Sequence, residues 1–106
     1  GDNPVIIVSQ RGAIKRMLAQ ELTQLSRAKR GVMILRELKK NPHRIIYMGD
    51  GQEKTLLLTN EKGQQVAIES NQYPISDRTS NGSFAIDEKQ GGKVLEVKEK
   101  FEYQSE

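Results

Sequence analysis

This 106-residue chain has no cysteine and no tryptophan. Without thiols there is no disulfide framework and no thiolate metal site, and the composition suits a reducing cytosol. A single histidine, His43, excludes a Cys–His or paired-imidazole site, and no carboxylates surround it at metal-ligand spacing. It follows Pro42 at the start of an expected strand and reads as structural. Aromatics make up 5% of the chain and hydrophobic residues 35%, so the core is thin. Apolar runs stop after four or five residues, far short of the roughly 20 that a membrane-crossing helix needs. No signal-peptide pattern opens the chain, and Gly1 reads as a residue left by tag cleavage. Zinc-finger, helix-turn-helix and phosphate-loop patterns are missing. The serines have no recognisable base. The expectation is therefore no catalytic residue, no metal and no cofactor.

What the chain does contain is a repeat. A shift of 51 positions lays Val5-Ile6-Ile7-Val8 on Leu56-Leu57-Leu58-Thr59, Gly12 on Gly63, Arg27 on Arg78 and Gly31 on Gly82. The run Val32-Met33-Ile34-Leu35 falls on Ser83-Phe84-Ala85-Ile86. Repeats of about this length mark supersecondary units that stack or form a ring. Residues 1–50 make the first unit and residues 51–106 the second.

Each unit reads as four strands. In the first they span 4–9, 13–17, 32–35 and 44–48; in the second, 55–59, 65–68, 83–86 and 93–101. Gly12, Gly31, Gly63 and Gly82 mark turns, and Gly12 is able to take a positive φ without strain. Residues 18–26 have helical composition, but their repeat mates contain Tyr73-Pro74, which forbids a regular helix. Both read as surface connections, the first with a helical turn. The fold class is all-β: two four-stranded blades of a radial architecture, with a frayed C-terminal tail.

Charge divides unevenly between the units. Residues 1–50 carry ten Lys/Arg against four acids, a net of +6, and residues 51–106 carry seven against ten, a net of −3. Such asymmetry between equivalent units points to a polyanion on the first. The candidate contacts are Arg11, Lys15, Arg16, Arg27, Lys29 and Arg30, on a hairpin turn, the strand after it and a glycine-ended loop. Arginine on a loop fits phosphate oxygens with two prongs. Alternation along residues 13–17 would place Lys15 on the face opposite Ile14. Lys89 and Lys93, in the acidic unit, are expected to lie off the contact surface. Few aromatics accompany the basic residues, so backbone contact with a duplex fits better than base stacking. The competing reading is a protein-docking or structural module in which the basic residues are a solvated face.

The segment Gly12-Ala13-Ile14-Lys15-Arg16 and the basic glycine loop resemble the repeats in the C-terminal domain of type IIA bacterial topoisomerase A subunits. That family's gyrase-type box, Gln-(Lys/Arg)-Arg-Gly-Gly-(Lys/Arg)-Gly, matches residues 25–31 at Arg27, Arg30 and Gly31, with Ala28 as a small stand-in. The second unit keeps only Arg78 and Gly82. A box this degenerate resembles the topoisomerase IV branch rather than gyrase, and residues 26–44 look like its Gram-positive members. The resemblance implies a β-pinwheel, in which a strand is exchanged between neighbouring blades, and a fragment from the C-terminal part of the whole polypeptide. It implies that the module binds and bends duplex DNA and guides segments to a catalytic core for decatenation and relaxation. The implied partners are the remaining parts of the A subunit, together with the ATPase B subunit in a heterotetramer, in a bacterial, nucleoid-associated cytoplasmic setting. The catalytic tyrosine and metal site of such an enzyme would lie outside this chain.

Overall fold

The structure is a computed structural model, and it describes residues 3–22, 42–76 and 82–100. Seven strands run in order: β1 (Pro4–Ser9), β2 (Ala13–Leu18), β3 (Ile45–Asp50), β4 (Thr55–Asn60), β5 (Gln65–Glu69), β6 (Ser83–Phe84) and β7 (Val94–Lys100). They are rich in the branched residues that suit a half-buried pleated surface. Residues 19–22 are helical, Ser70–Gln72 form a 3-10 turn, and α1 (Glu88–Gly91) is a single helical turn. The expected strand 83–86 is shorter than the alternation suggested. Gln90-Gly91-Gly92, which reads locally as a turn, holds the end of α1, whose start is capped by the Asp87 carboxylate accepting from Lys89 N at 2.9 Å.

The strands form two antiparallel sheets, in the orders β3-β1-β2-β6 and β5-β4-β7. The first sheet therefore takes β6 from the second unit: Ala13 pairs with Phe84 and Ile14 with Ser83. Ser76 N donates to Arg16 O at 2.8 Å, and Ile75 forms a bridge with Arg16, so this part of the second unit also lies against β2. This is the strand exchange that the pinwheel resemblance implied. The described part of the second sheet holds three strands. The expected strand at 32–35 lies outside the described residues.

The two sheets share one core. Ile6, Val8 and Ile14 of the first pack with Leu56, Leu58, Ile68 and Val94 of the second, all at most 5% exposed. Each such side chain contributes about 2 kcal/mol on burial. The first sheet is covered on its other face too, since Ile7 and Met17 are fully buried. The other face of the second sheet is polar. Thr55 Oγ1 donates to Glu69 at 3.0 Å, Gln65 Nε2 donates to Thr59 Oγ1 at 3.2 Å, and Lys98 pairs with Glu96 at 3.7 Å.

The repeat persists in three dimensions, with one correction. β4 and β5 match β1 and β2 at the shift of 51, but the outer strands match at 49: Tyr47 pairs with Val8 as Glu96 pairs with Thr59. Both pairings slip at the same place, between Val8 and Ser9 and between Thr59 and Asn60. The connection before β7 is two residues shorter than the one before β3.

Candidate nucleic-acid interface

Two equivalent hairpin turns organise the surface. Ser9 Oγ accepts from Arg11 N at 3.2 Å and Ala13 N at 3.4 Å. Asn60 Oδ1 accepts from Lys62 N at 3.1 Å and Gln64 N at 2.9 Å. Gly12 and Gly63 close these turns at φ of 88° and 81°. The next residue of each turn brackets the start of an outer strand. Gln10 N donates to Arg44 O at 2.9 Å, and Arg44 N donates back to Gln10 Oε1. Glu61 N donates to Lys93 O at 2.9 Å, and Lys93 N donates back to Glu61 Oε1 at 2.8 Å.

The turns differ in what their cations do. Arg11 Nε donates to Glu88 Oε1 at 3.0 Å, and the guanidinium lies 5.4 Å from the centroid of Phe84. Both acceptors belong to the second unit, so Arg11 clasps the exchanged segment; its side chain is 15% exposed. Lys62, the matching residue, is exposed. An open cleft of about 400 Å³ lies at the clasp, lined by Arg11 and residues 84–89.

His43 completes the clasp, its ring 6.0 Å from that of Phe84. The Ser9 oxygen already accepts two N–H groups, so its hydrogen is directed to His43 Nδ1, 2.9 Å away. That bond requires a neutral ring protonated on Nε2. Burial lowers the His43 pKa below the ordinary 6.5, the Arg11 charge lowers it further, and Glu88 opposes both. A second junction joins the outer strands. Tyr47 OH donates to Glu99 at 2.7 Å, and Lys54 Nζ lies 3.3 Å from the same carboxylate. Burial, followed by that hydrogen bond, raises the Tyr47 pKa.

These positions correct part of the sequence reading. Lys15 is 2% exposed, because both faces of β2 are covered, and it presents no charge at the surface. Arg16 is half-buried; its Nη1 donates to Gly51 O at 3.0 Å, and its Nε meets no acceptor among the described residues. Arg11 is committed to the clasp. Arg27, Lys29, Arg30 and Gly31 lie outside the described residues, and Gly82 leads into β6. The exposed cations among the described residues are instead Arg44, Lys62, Lys89, Lys93, Lys98 and Lys100. Sequence reasoning passed over Arg44, Lys62, Lys98 and Lys100, because a surface cation outside a basic run has no local mark, and it placed Lys89 and Lys93 off the contact surface. The matching brackets that single out Arg44 and Lys93 emerge only at the 49-residue shift of the outer strands, which the shift of 51 conceals. No group of three or more metal-ligating side chains occurs among the described residues, and none of their helices is long and apolar enough to cross a membrane.

No protein-family model matches the chain. Curated relatives do. The A subunit of DNA topoisomerase 4 from Bacillus subtilis (strain 168) is 47% identical over 94 residues, covering 88% of this chain and 12% of the relative. Its counterpart in Streptococcus pneumoniae is 37% identical over 97 residues, covering 76% of this chain and 12% of the relative. That of Staphylococcus aureus is 32% identical over 98 residues, covering 91% and 12%. The chain thus spans about one eighth of the length of these relatives. A crystal structure of the C-terminal domain of DNA topoisomerase IV superposes with a TM-score of 0.78 at 44% identity, covering 92% of this chain and 31% of that one. With its two β units, exchanged strand and matching sequence, the chain belongs to the β-pinwheel family found in the C-terminal region of the DNA topoisomerase IV A subunits.

Proposed function

We propose that this chain is a duplex DNA-binding and DNA-bending module. In the full-length polypeptide it guides DNA segments to a catalytic core for decatenation and relaxation of supercoils. The observation that carries the reading is kinship along nearly the whole chain with the A subunits of topoisomerase IV, joined to exchange of β6 between the sheets. The excess of positive charge in residues 1–50 supports it, since affinity for duplex DNA comes mainly from neutralised phosphates. Arg27, Lys29 and Arg30 are the loop cations proposed to meet the backbone. Docking of a protein on the acidic second unit has no comparable support.

The catalytic steps belong to other parts of the enzyme, and this module contributes no metal, cofactor or nucleophile of its own. Its proposed partners are duplex DNA, the remaining parts of the A subunit, and the ATPase B subunit of a heterotetramer, at the bacterial nucleoid. The test is fluorescence anisotropy of a labelled duplex of about 40 base pairs, a length that spans many phosphates. The chain is expected to bind, and the change of Arg27, Lys29 and Arg30 together to Glu is expected to weaken binding at least tenfold. Equal binding by the two proteins would remove the loop from the interface.

A further inference from the structure

We infer that Arg44 and Lys93 are a pair of equivalent phosphate contacts, one from each β unit. The inference rests on the DNA-binding reading above and adds a second set of contacts to it. Both residues stand just before an outer strand, β3 or β7, and each is held by the residue after a hairpin asparagine or serine. In both brackets the bonds use the backbone N–H and C=O of the cation and leave its side chain to solvent. Arg44 and Lys93 are both exposed. The backbone is thus fixed at two points while the side chain is exposed, which suits a phosphate contact that positions rather than reads sequence.

Equivalence is the stronger part of the argument. The bracket is the same in each unit, although its side-chain acceptor is an amide in Gln10 and a carboxylate in Glu61. The second unit is net acidic and still places a cation here. At the same 49-residue shift, Lys98 of β7 falls on Gly49, so this cation has no counterpart in the first unit, and it is paired with Glu96. Two cations at matching places on neighbouring blades would follow a duplex from one blade to the next. The carboxylate of Glu61 lies against the backbone of Lys93, so Lys93 should contribute less than Arg44.

The experiment measures the salt dependence of duplex binding for the 106-residue chain and for Arg44→Gln, Lys93→Gln, their double variant and Lys98→Gln. None of these changes touches the bracket, and circular dichroism checks that each variant is folded. Each phosphate contact adds about 0.9 to the magnitude of the log–log slope. Arg44→Gln is expected to remove about 0.9, Lys93→Gln somewhat less, and the double variant their sum. Lys98→Gln should leave the slope unchanged. A slope unchanged in the double variant, with the parent chain binding normally, would overturn this inference alone. An equal loss in Lys98→Gln would overturn it as well, by showing diffuse attraction rather than placed contacts. Failure of the parent chain to bind at low salt would overturn the DNA-binding reading and this inference with it.

Discussion

At the scale of single residues, the clasp shows how context decides what a charge does. Arg11 looks, in sequence, like a free turn cation. In the fold it is a joint between units, because Glu88 and the face of Phe84 reach it from the exchanged segment. Arg11→Ala should lower unfolding stability by about 1–2 kcal/mol, since a charged hydrogen bond of low exposure is lost. Lys98→Ala, whose ion pair is largely exposed, should change stability by less than about 0.5 kcal/mol. Urea denaturation of the two variants checks this contrast. His43 makes a pH prediction. Its folded pKa is depressed, so the unfolded chain binds the proton more readily. Stability is therefore unaffected well above 6.5 and falls as pH drops through that value toward the folded pKa. Melting temperature should decline on acidification, and His43→Gln should flatten the part of the decline nearest 6.5. Carbon-bound ring protons followed by NMR should titrate below the ordinary histidine value. The role of Arg11 was not legible because Glu88 is 77 positions away, and no local pattern announces such a pair.

At the scale of elements, the two hairpin turns are the same device used in different surroundings. Both glycines hold a positive φ that side chains strain to adopt. A Cβ on Gly63 would meet nothing, whereas one on Gly12 would sit 2.6 Å from Ile86 Cγ2. Gly63→Ala should therefore cost about 1 kcal/mol, the backbone strain alone. Gly12→Ala should cost clearly more, because Ile86 or the exchanged segment must move. Chemical denaturation of both variants separates strain from crowding; equal costs would contradict the packing described for Gly12. The strands themselves were well marked in the sequence. Apolar runs and glycine turns located β1, β2, β4, β5 and β7 to within about two residues, the usual uncertainty of an element boundary. The short helix α1 was missed because Gln90-Gly91-Gly92 reads as a turn, while Asp87 supplies a cap that only the folded geometry makes evident. The two-residue shortening before β7 was hidden for a related reason. A single shift of 51 fits the landmarks up to Ile86, and β7 alternates well in either register.

At the scale of the whole molecule, exchange of β6 and the shared core make the two units one body. Among the described residues, Ile6, Val8 and Ile14 share one buried cluster with Leu56, Leu58, Ile68 and Val94. Division of the chain at residue 50 describes its order along the sequence better than its sheets. The repeat and its matched glycines made the all-β architecture legible. The family resemblance supplied the exchange, which periodicity alone could not. The interface was less legible. A charge count sees ten Lys/Arg in residues 1–50 but cannot tell that Lys15 is buried or that Arg11 and Arg16 are engaged. Of the cations in residues 1–50 that lie among the described residues, Arg44, just before β3, is the exposed one. The most direct measurement is the affinity of the unaltered chain for duplex DNA as salt is raised. A log–log slope of about −3 or steeper, with little dependence on base sequence, is the predicted result for several phosphates neutralised at about 0.9 each. A flat slope, or no binding at low salt, would contradict the account.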